Sequence, residues 1–224
     1  YLTTKAKLVD FNPTSELESP KIMKRLPRYL NVDESKKLLS SATKVEGPNS
    51  VRDYAILTIF LNCGIRLSEL VGINLNSIKN DTLTVIGKGN KERSIPLNNA
   101  CIQAINAYLK VRPVNGIKDR NALFISAHKQ RISKESVQKI VKKYIKEAGL
   151  DPQRYSTHKL RHTAATLMYK YGNVDIRALQ ELLGHQSIST TEIYTHLDQQ
   201  QLREAVNRNP LADFDSSEIT AENE

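Results

Sequence analysis

The sequence predicts a mainly α-helical protein with one small antiparallel β-sheet. Three observations carry that expectation. Apolar residues recur at helical spacing in a series of stretches. Gly64, Gly149, Gly172 and Gly184 stop those stretches, and a residue without a Cβ is the common helix end. One pair of segments, 82–87 and 92–97, alternates instead. It is rich in Thr, Val and Ile around a Gly-Asn turn, which is the pattern of a hairpin.

The elements follow in order. Residues 1–30 are polar and punctuated by Asn12-Pro13, Ser19-Pro20 and Leu26-Pro27, so they read as a linker or extended arm. Asn31 caps a helix through about Ala42, with Glu34 as its capping-box partner. Residues 49–63 present an apolar face of Tyr54, Ile56, Leu57, Ile59, Phe60 and Leu61, and a short helix follows at 67–72. After the hairpin come helices at 98–111 and 133–148, the second capped by Ser133. Thr157 caps 158–171, Asp175 opens 176–183, and Ser189 with Glu192 caps a helix that carries Tyr194. Past Asn209-Pro210 the chain turns acidic, with Leu211, Phe214 and Ile219 as its apolar anchors. The expected organisation is an arm at 1–30, a main domain at 31–206 and a tail at 207–224.

Composition narrows the function. The 224 residues suit one large domain, and an apolar share of 39 % still supports a core at that size. Lys and Arg number 33 against 24 Asp and Glu, a net charge of +9. Such an excess serves solubility or a polyanion partner, because basic side chains displace counterions from a phosphate backbone. Cys63 and Cys101 read as small buried hydrophobes. They offer neither metal spacing nor a disulfide framework, which suits a reducing compartment. No apolar run approaches the ~18 residues of a membrane span, and no signal peptide is evident. The expectation is a cytoplasmic protein without a membrane partner. Its start at Tyr1 reads as a fragment or processed piece.

Several basic residues sit where they can serve a phosphate. Arg66 follows the helix stop at Gly64, where it is either a solvated helix-end cation or a forked donor to an anion. Glu69, three residues on, either orients Arg66 or simply favours a helix N-terminus. Lys88 sits beside the hairpin tip, with Lys91 and Arg93 as neighbouring cations. His158 and Arg161 share one helix face at i and i+3, beside a helix start that itself favours anions. His162 points about 100° away from Arg161. His185 follows Leu183-Gly184, and Tyr194 lies nine residues further on. Singly, each has a plain structural explanation: a cap, a turn cation or a core ring. No Asp/Glu cluster offers a two-metal site, so neither metal nor cofactor is expected.

Together, GIRLSEL, GKGNKER, THKLRHTAAT and LGH followed by TTEIYTH resemble the ordered motifs of the tyrosine site-specific recombinases, the Xer and phage-integrase group. The resemblance runs over about residues 10–210. It implies the catalytic-domain fold of that family. It implies catalytic roles for Arg66, Lys88, His158, Arg161, His185 and the nucleophile Tyr194, with Glu69 in support and Lys91, Arg93 and Lys159 on DNA. The implied reaction cleaves and rejoins duplex DNA through a 3′-phosphotyrosyl link, without metal or ATP. Within the family the connector favours Xer-like resolution of chromosome or plasmid dimers over a mobile-element or phage integrase. A type IB topoisomerase is a more distant possibility. A DNA-binding module without catalysis explains the charge but not the ordered set. The resemblance further implies a missing N-terminal core-binding domain ahead of the arm, and a homo- or hetero-tetramer on a DNA site. It also implies a tail at 207–224 that docks on a neighbouring subunit. A regulatory translocase or an excision factor would be the further partner.

Overall fold

The computed structural model describes residues 3–8, 11, 29–44, 47–172, 176–184 and 199–214. Asn31 opens α1 (Val32–Thr43) with the expected reciprocal cap, its side chain accepting from the Glu34 N–H and its own N–H donating to the Glu34 carboxylate, both at 2.8 Å. Leu30, just before α1, is fully buried, and its N–H donates to Thr163 Oγ1 at 3.0 Å.

Helix α2 (Pro48–Cys63) is the axis of the domain. Twelve of its sixteen residues are buried, so it is enclosed all round rather than on one face. Helices α1, α4 (Asn99–Val111) and α6 (Thr157–Gly172) pack around it. Cys63 on α2 meets Cys101 on α4 with their Sγ atoms 3.7 Å apart, both fully buried. The hydrogen bond to Cys63, with burial, pushes the Cys101 thiol well above its ordinary range. Both behave as the inert core residues expected.

α2 stops at Gly64, which takes the left-handed conformation at φ 57°. A Cβ there would also lie 2.8 Å from Leu183 Cδ2, so glycine is required twice over. After α3 (Leu67–Gly72) the sheet forms in the order β1 (Ile78–Lys79), β2 (Thr82–Ile86), β3 (Glu92–Pro96), all antiparallel. The β2–β3 hairpin falls where predicted, while β1 is an addition of two residues. Beyond it, α5 (Lys134–Glu147) takes its cap from Ser133, which accepts from the Ser136 N–H at 3.2 Å. α6 starts one residue earlier than expected. The Leu160 N–H bonds to the Ser156 carbonyl at 2.9 Å, which puts the first helical residue at Thr157.

Helices α7 (Ile176–Leu183) and α8 (Gln199–Asn207) complete the described part. The expected cap at Ser189 and Glu192 and the expected anchor Ile219 lie outside the described residues. The chain past α8 packs back on the helices before it. Leu211 is fully buried and Ala212 3 % exposed in the protein's own core, with Phe214 packed against it. Asn209 Nδ2 donates to the Leu61 carbonyl at 3.1 Å, and the Ala100 N–H donates to the Ala212 carbonyl at 2.8 Å. Leu211 and Phe214 thus pack against the core of the same chain.

Candidate active site

Arg66, His158 and Arg161 line one cavity of about 540 Å³, together with Ile65, Leu67, Ser68, Lys134 and Thr157. Local structure explains the convergence. Arg66 sits at the N-cap of α3, straight after the left-handed turn at Gly64. His158 and Arg161 occupy the first turns of α6, three residues apart and so on one face. Lys134, on the first turn of α5, is the member that sequence reasoning missed. Its only sequence signal is a cation directly after the Ser133 cap.

Beneath the cavity lies a buried ion cluster. The Glu69 side chain is 1 % exposed. Its Oε1 accepts from Arg66 Nη1 at 2.9 Å and Arg93 Nη1 at 2.6 Å. Its Oε2 accepts from Arg93 Nη2 at 2.9 Å and the Arg66 backbone N–H at 2.7 Å. Every lone-pair direction of the carboxylate is thus used. Burial works to raise the Glu69 pKa, but the hydrogen bonds from Arg93 and Arg66 prevail and bring it down to about 2. Glu69 is thereby held as an anion bonded to both the side chain and the backbone of Arg66.

The second catalytic candidate is held from below. Arg161, 6 % exposed, donates through Nη1 to the Gly64 carbonyl and through Nη2 to the Leu183 carbonyl, each at 2.6 Å. Burial, then repulsion from Arg66, lowers its pKa to about 10. It remains a cation at neutral pH. Two backbone carbonyls set the plane of the guanidinium, and Glu69 sets that of Arg66. Both planes are fixed before any ligand arrives, the condition under which forked donors stabilise a developing oxyanion most.

The other predicted residues separate into three groups. Lys91 is exposed at the hairpin tip and Lys159 is half-buried on α6, positions open to a polyanion. Arg93 differs from expectation. Its side chain is 13 % exposed and turned inward, with Nε donating to the Leu182 carbonyl at 2.9 Å and both Nη atoms on Glu69. The strand period carried that signal, since Arg93 shares a face with the fully buried Ile95 and pairs with Val85, which is 3 % exposed. For Lys88 the backbone lies in a short 3₁₀ turn at Lys88–Asn90, and its side chain is outside the description. His185 and Tyr194 lie outside the described residues. His162, half-buried, sets its ring edge-on to Tyr29 at 6.4 Å and does not line the cavity.

Among the described residues no helix is long and apolar enough to cross a membrane, and no group of three or more His, Cys, Asp or Glu is placed to hold a metal ion.

The phage integrase family model matches residues 28–201. The tyrosine recombinase XerC of Caldanaerobacter subterraneus subsp. tengcongensis is 64 % identical over 212 residues, covering 95 % of this chain and 59 % of that protein. The XerC of Alcanivorax borkumensis is 45 % identical over 195 residues, covering 85 % of this chain and 62 % of that protein. The chain therefore spans about three fifths of these relatives. A solved XerH site-specific recombinase, bound to difH substrate in a pre-cleavage complex, superposes with a TM-score of 0.65 at 32 % identity. That match covers 83 % of this chain and 55 % of the solved one.

Proposed function

Because the chain belongs to the phage integrase family, we propose that it is the catalytic part of a site-specific DNA recombinase of the Xer type. The observation that carries this reading is the convergence of Arg66, His158 and Arg161 on one cavity, above a carboxylate that fixes Arg66. Identity of 64 % to a XerC protein favours Xer-like dimer resolution over a mobile-element integrase.

The chemistry follows from what the residues can do. A phenol with a pKa near ~10 is a poor nucleophile at neutral pH, so it needs a cationic site and a proton acceptor. The Tyr194 oxygen attacks the scissile phosphorus. His158 assists removal of the phenolic proton. Arg66 and Arg161 hold the non-bridging oxygens, whose negative charge grows in the transition state. The bond to the 5′ oxygen breaks, and Lys88 supplies the proton that this oxygen needs to leave. His185 adds a hydrogen bond to a phosphate oxygen. The product is a 3′-phosphotyrosyl link that retains the energy of the phosphodiester, so a 5′ hydroxyl from another strand reverses the sequence without ATP. Lys91, Lys159 and Lys134 provide backbone contacts beside the reacting phosphate. The working assembly is a homo- or hetero-tetramer on a recombination site in the cytoplasm.

The test uses a nicked suicide duplex and wild-type protein beside Tyr194→Phe. The wild type is expected to give a covalent adduct stable to detergent. Tyr194→Phe is expected to give none while binding duplex within about threefold, since only the hydroxyl is lost. Duplex binding with no adduct from either protein would reduce the chain to a binding module.

A further inference from the structure

The last three carbonyls of the α7 segment are consecutive, and each is held by a different arginine. Arg93 Nε takes Leu182 at 2.9 Å, Arg161 Nη2 takes Leu183 at 2.6 Å, and Arg66 Nη2 takes Gly184 at 2.6 Å. These arginines come from β3, from α6 and from the N-cap of α3. Helix C-terminal carbonyls lack partners within the helix and carry the negative end of its dipole. Three guanidiniums thus clamp one helix end, and two of them are the candidate catalytic pair.

Arg93 has a place the other two lack. Its Nε and both Nη atoms all have protein acceptors, two of them the oxygens of Glu69. Arg93 does not line the cavity, unlike Arg66 and Arg161. Like Arg66 itself, it touches both the Glu69 carboxylate and the end of α7, and through β3 it attaches both to the hairpin that carries Lys88. Gly184 shows how closely the joint is fitted. It lies at φ 64°, and a Cβ there would sit 3.3 Å from Arg93 Cδ and Nη1.

We infer that Arg93 is a positioning residue for strand cleavage rather than a DNA contact: it aims Arg66 by gripping Glu69, and it fixes the end of α7 beside the two catalytic arginines. This rests on the cleavage reading above. Without Arg93 the buried Glu69 carboxylate loses two of its four hydrogen bonds. Arg66 is then left as its sole partner and is pulled away from the orientation a phosphate requires. The Leu182 carbonyl is freed at the same time.

Three measurements on the whole chain test the inference. In the first, Arg93→Ala and Arg93→Lys are compared with wild type for single-turnover adduct formation at saturating nicked duplex, and for the Kd of that duplex. The expected result is a rate lower by about 10- to 100-fold, the scale of a misplaced reacting group, with Kd within threefold. Lysine recovers little, because its donors sit on a single nitrogen and cannot span both Glu69 oxygens and the Leu182 carbonyl as the guanidinium fork does. A raised Kd whose salt dependence falls by about one phosphate contact, at unchanged cleavage rate, would make Arg93 a DNA ligand and overturn the proposal.

In the second, Arg93→Ala/Glu69→Gln also removes the uncompensated buried charge, which guards against a single variant that fails to fold. The double variant is expected to cleave no more slowly than the worse single one. Effects that multiply would separate Arg93 from Glu69 and refute the relay. The pH profile adds a signature that mere destabilisation lacks. The Arg93→Ala rate should acquire a new decline as pH falls through the carboxylate range, and Glu69→Gln should abolish it.

The third needs no cleavage. In DNA-free protein the NMR signals of the Arg66 Nη groups are expected to be held in slow rotation, and to lose that restraint in Arg93→Lys. Unchanged Arg66 signals would sink the inference whatever the reaction proves to be. Loss of restraint in a protein that forms no adduct would instead fault the cleavage reading alone.

Discussion

Leu211→Ala tests whether the chain past α8 belongs to this domain's own core. Leu211 is fully buried within the same cluster as Leu202, Ala205 and Val206. Truncating such a leucine removes its transfer free energy and leaves a cavity, together about 2–5 kcal/mol. The lower half of that range suits a short turn that can partly collapse. Asn209→Ala adds a different loss. Its amide holds the Leu61 carbonyl at 3.1 Å and its Oδ1 accepts from the Leu211 N–H at 3.0 Å. Leu61 lies in the last turn of α2, where carbonyls lack helical partners, so orphaning it costs about 1–3 kcal/mol. The two residues are neighbours, and their effects should not simply add. Against a typical stability of about 5–15 kcal/mol, either change is plain in a urea titration followed by helical circular dichroism. The loss should be independent of protein concentration, because the contacts are within one chain. A change below about 0.5 kcal/mol, or one that grows with concentration, would refute intramolecular docking and restore the neighbouring-subunit role.

Further outcomes follow from the site. Arg66→Lys and Arg161→Lys should each slow adduct formation on the order of 10²-fold, as for a lost oxyanion donor; cleavage at wild-type rate would make that arginine structural. Lys134→Ala should weaken duplex binding and reduce the salt slope by about 1, since it faces the cavity beside His158; an unchanged slope would remove it from the DNA face. Glu69 is an anion favoured by the fold, with its pKa lowered to about 2 from 4.5. Its contribution to stability is therefore fully present above about pH 4.5 and is lost as pH falls through about 2, an amount of roughly 3 kcal/mol. The stability gap between wild type and Glu69→Gln should narrow over that window, and a gap constant with pH would contradict the ion cluster.

Most of the architecture was legible because local chemistry and tertiary packing agree. Asn31 with Glu34, Ser133, Gly64 and the Gly-Asn hairpin each specify one backbone geometry, and the fold adopts it. The motif residues Arg66, His158 and Arg161 share that local origin, since each sits at or near a helix start. What escaped depended on distant partners. The two-residue β1 is too short to show alternation. Residues 209–214 read as the start of an acidic tail with apolar anchors for a neighbouring subunit, and only the fold shows Leu211 and Ala212 packing beside α2 and α4. The inward turn of Arg93 was written in the strand period, but a cation beside a hairpin tip invites a surface reading. Only the presence of Glu69 on the facing element makes its burial tolerable.

That last point explains why this site uses arginine. Three guanidiniums and one carboxylate leave an excess of two positive charges in a largely buried cluster. Burial first, and then such crowding, opposes protonation, and Arg161 falls to about 10. The fall leaves it charged across the neutral range because arginine starts from 12.5. A lysine starts near ~10.4, and an equal displacement would bring it to about 8, where its charge varies with the pH of the medium. Lysine would also have to choose among acceptors that a guanidinium satisfies together, the carbonyl below and a phosphate oxygen above. The backbone carbonyls at Gly64, Leu182, Leu183 and Gly184 complete the logic. They moderate the repulsion among the cations with partial charges too weak to neutralise them. The cluster is thereby kept in place and still short of one full negative charge or more. In the proposed function a phosphodiester supplies one such charge, and its transition state supplies more on the same oxygens. The interaction that the fold leaves unsatisfied in the free protein is therefore the one that strengthens along the reaction.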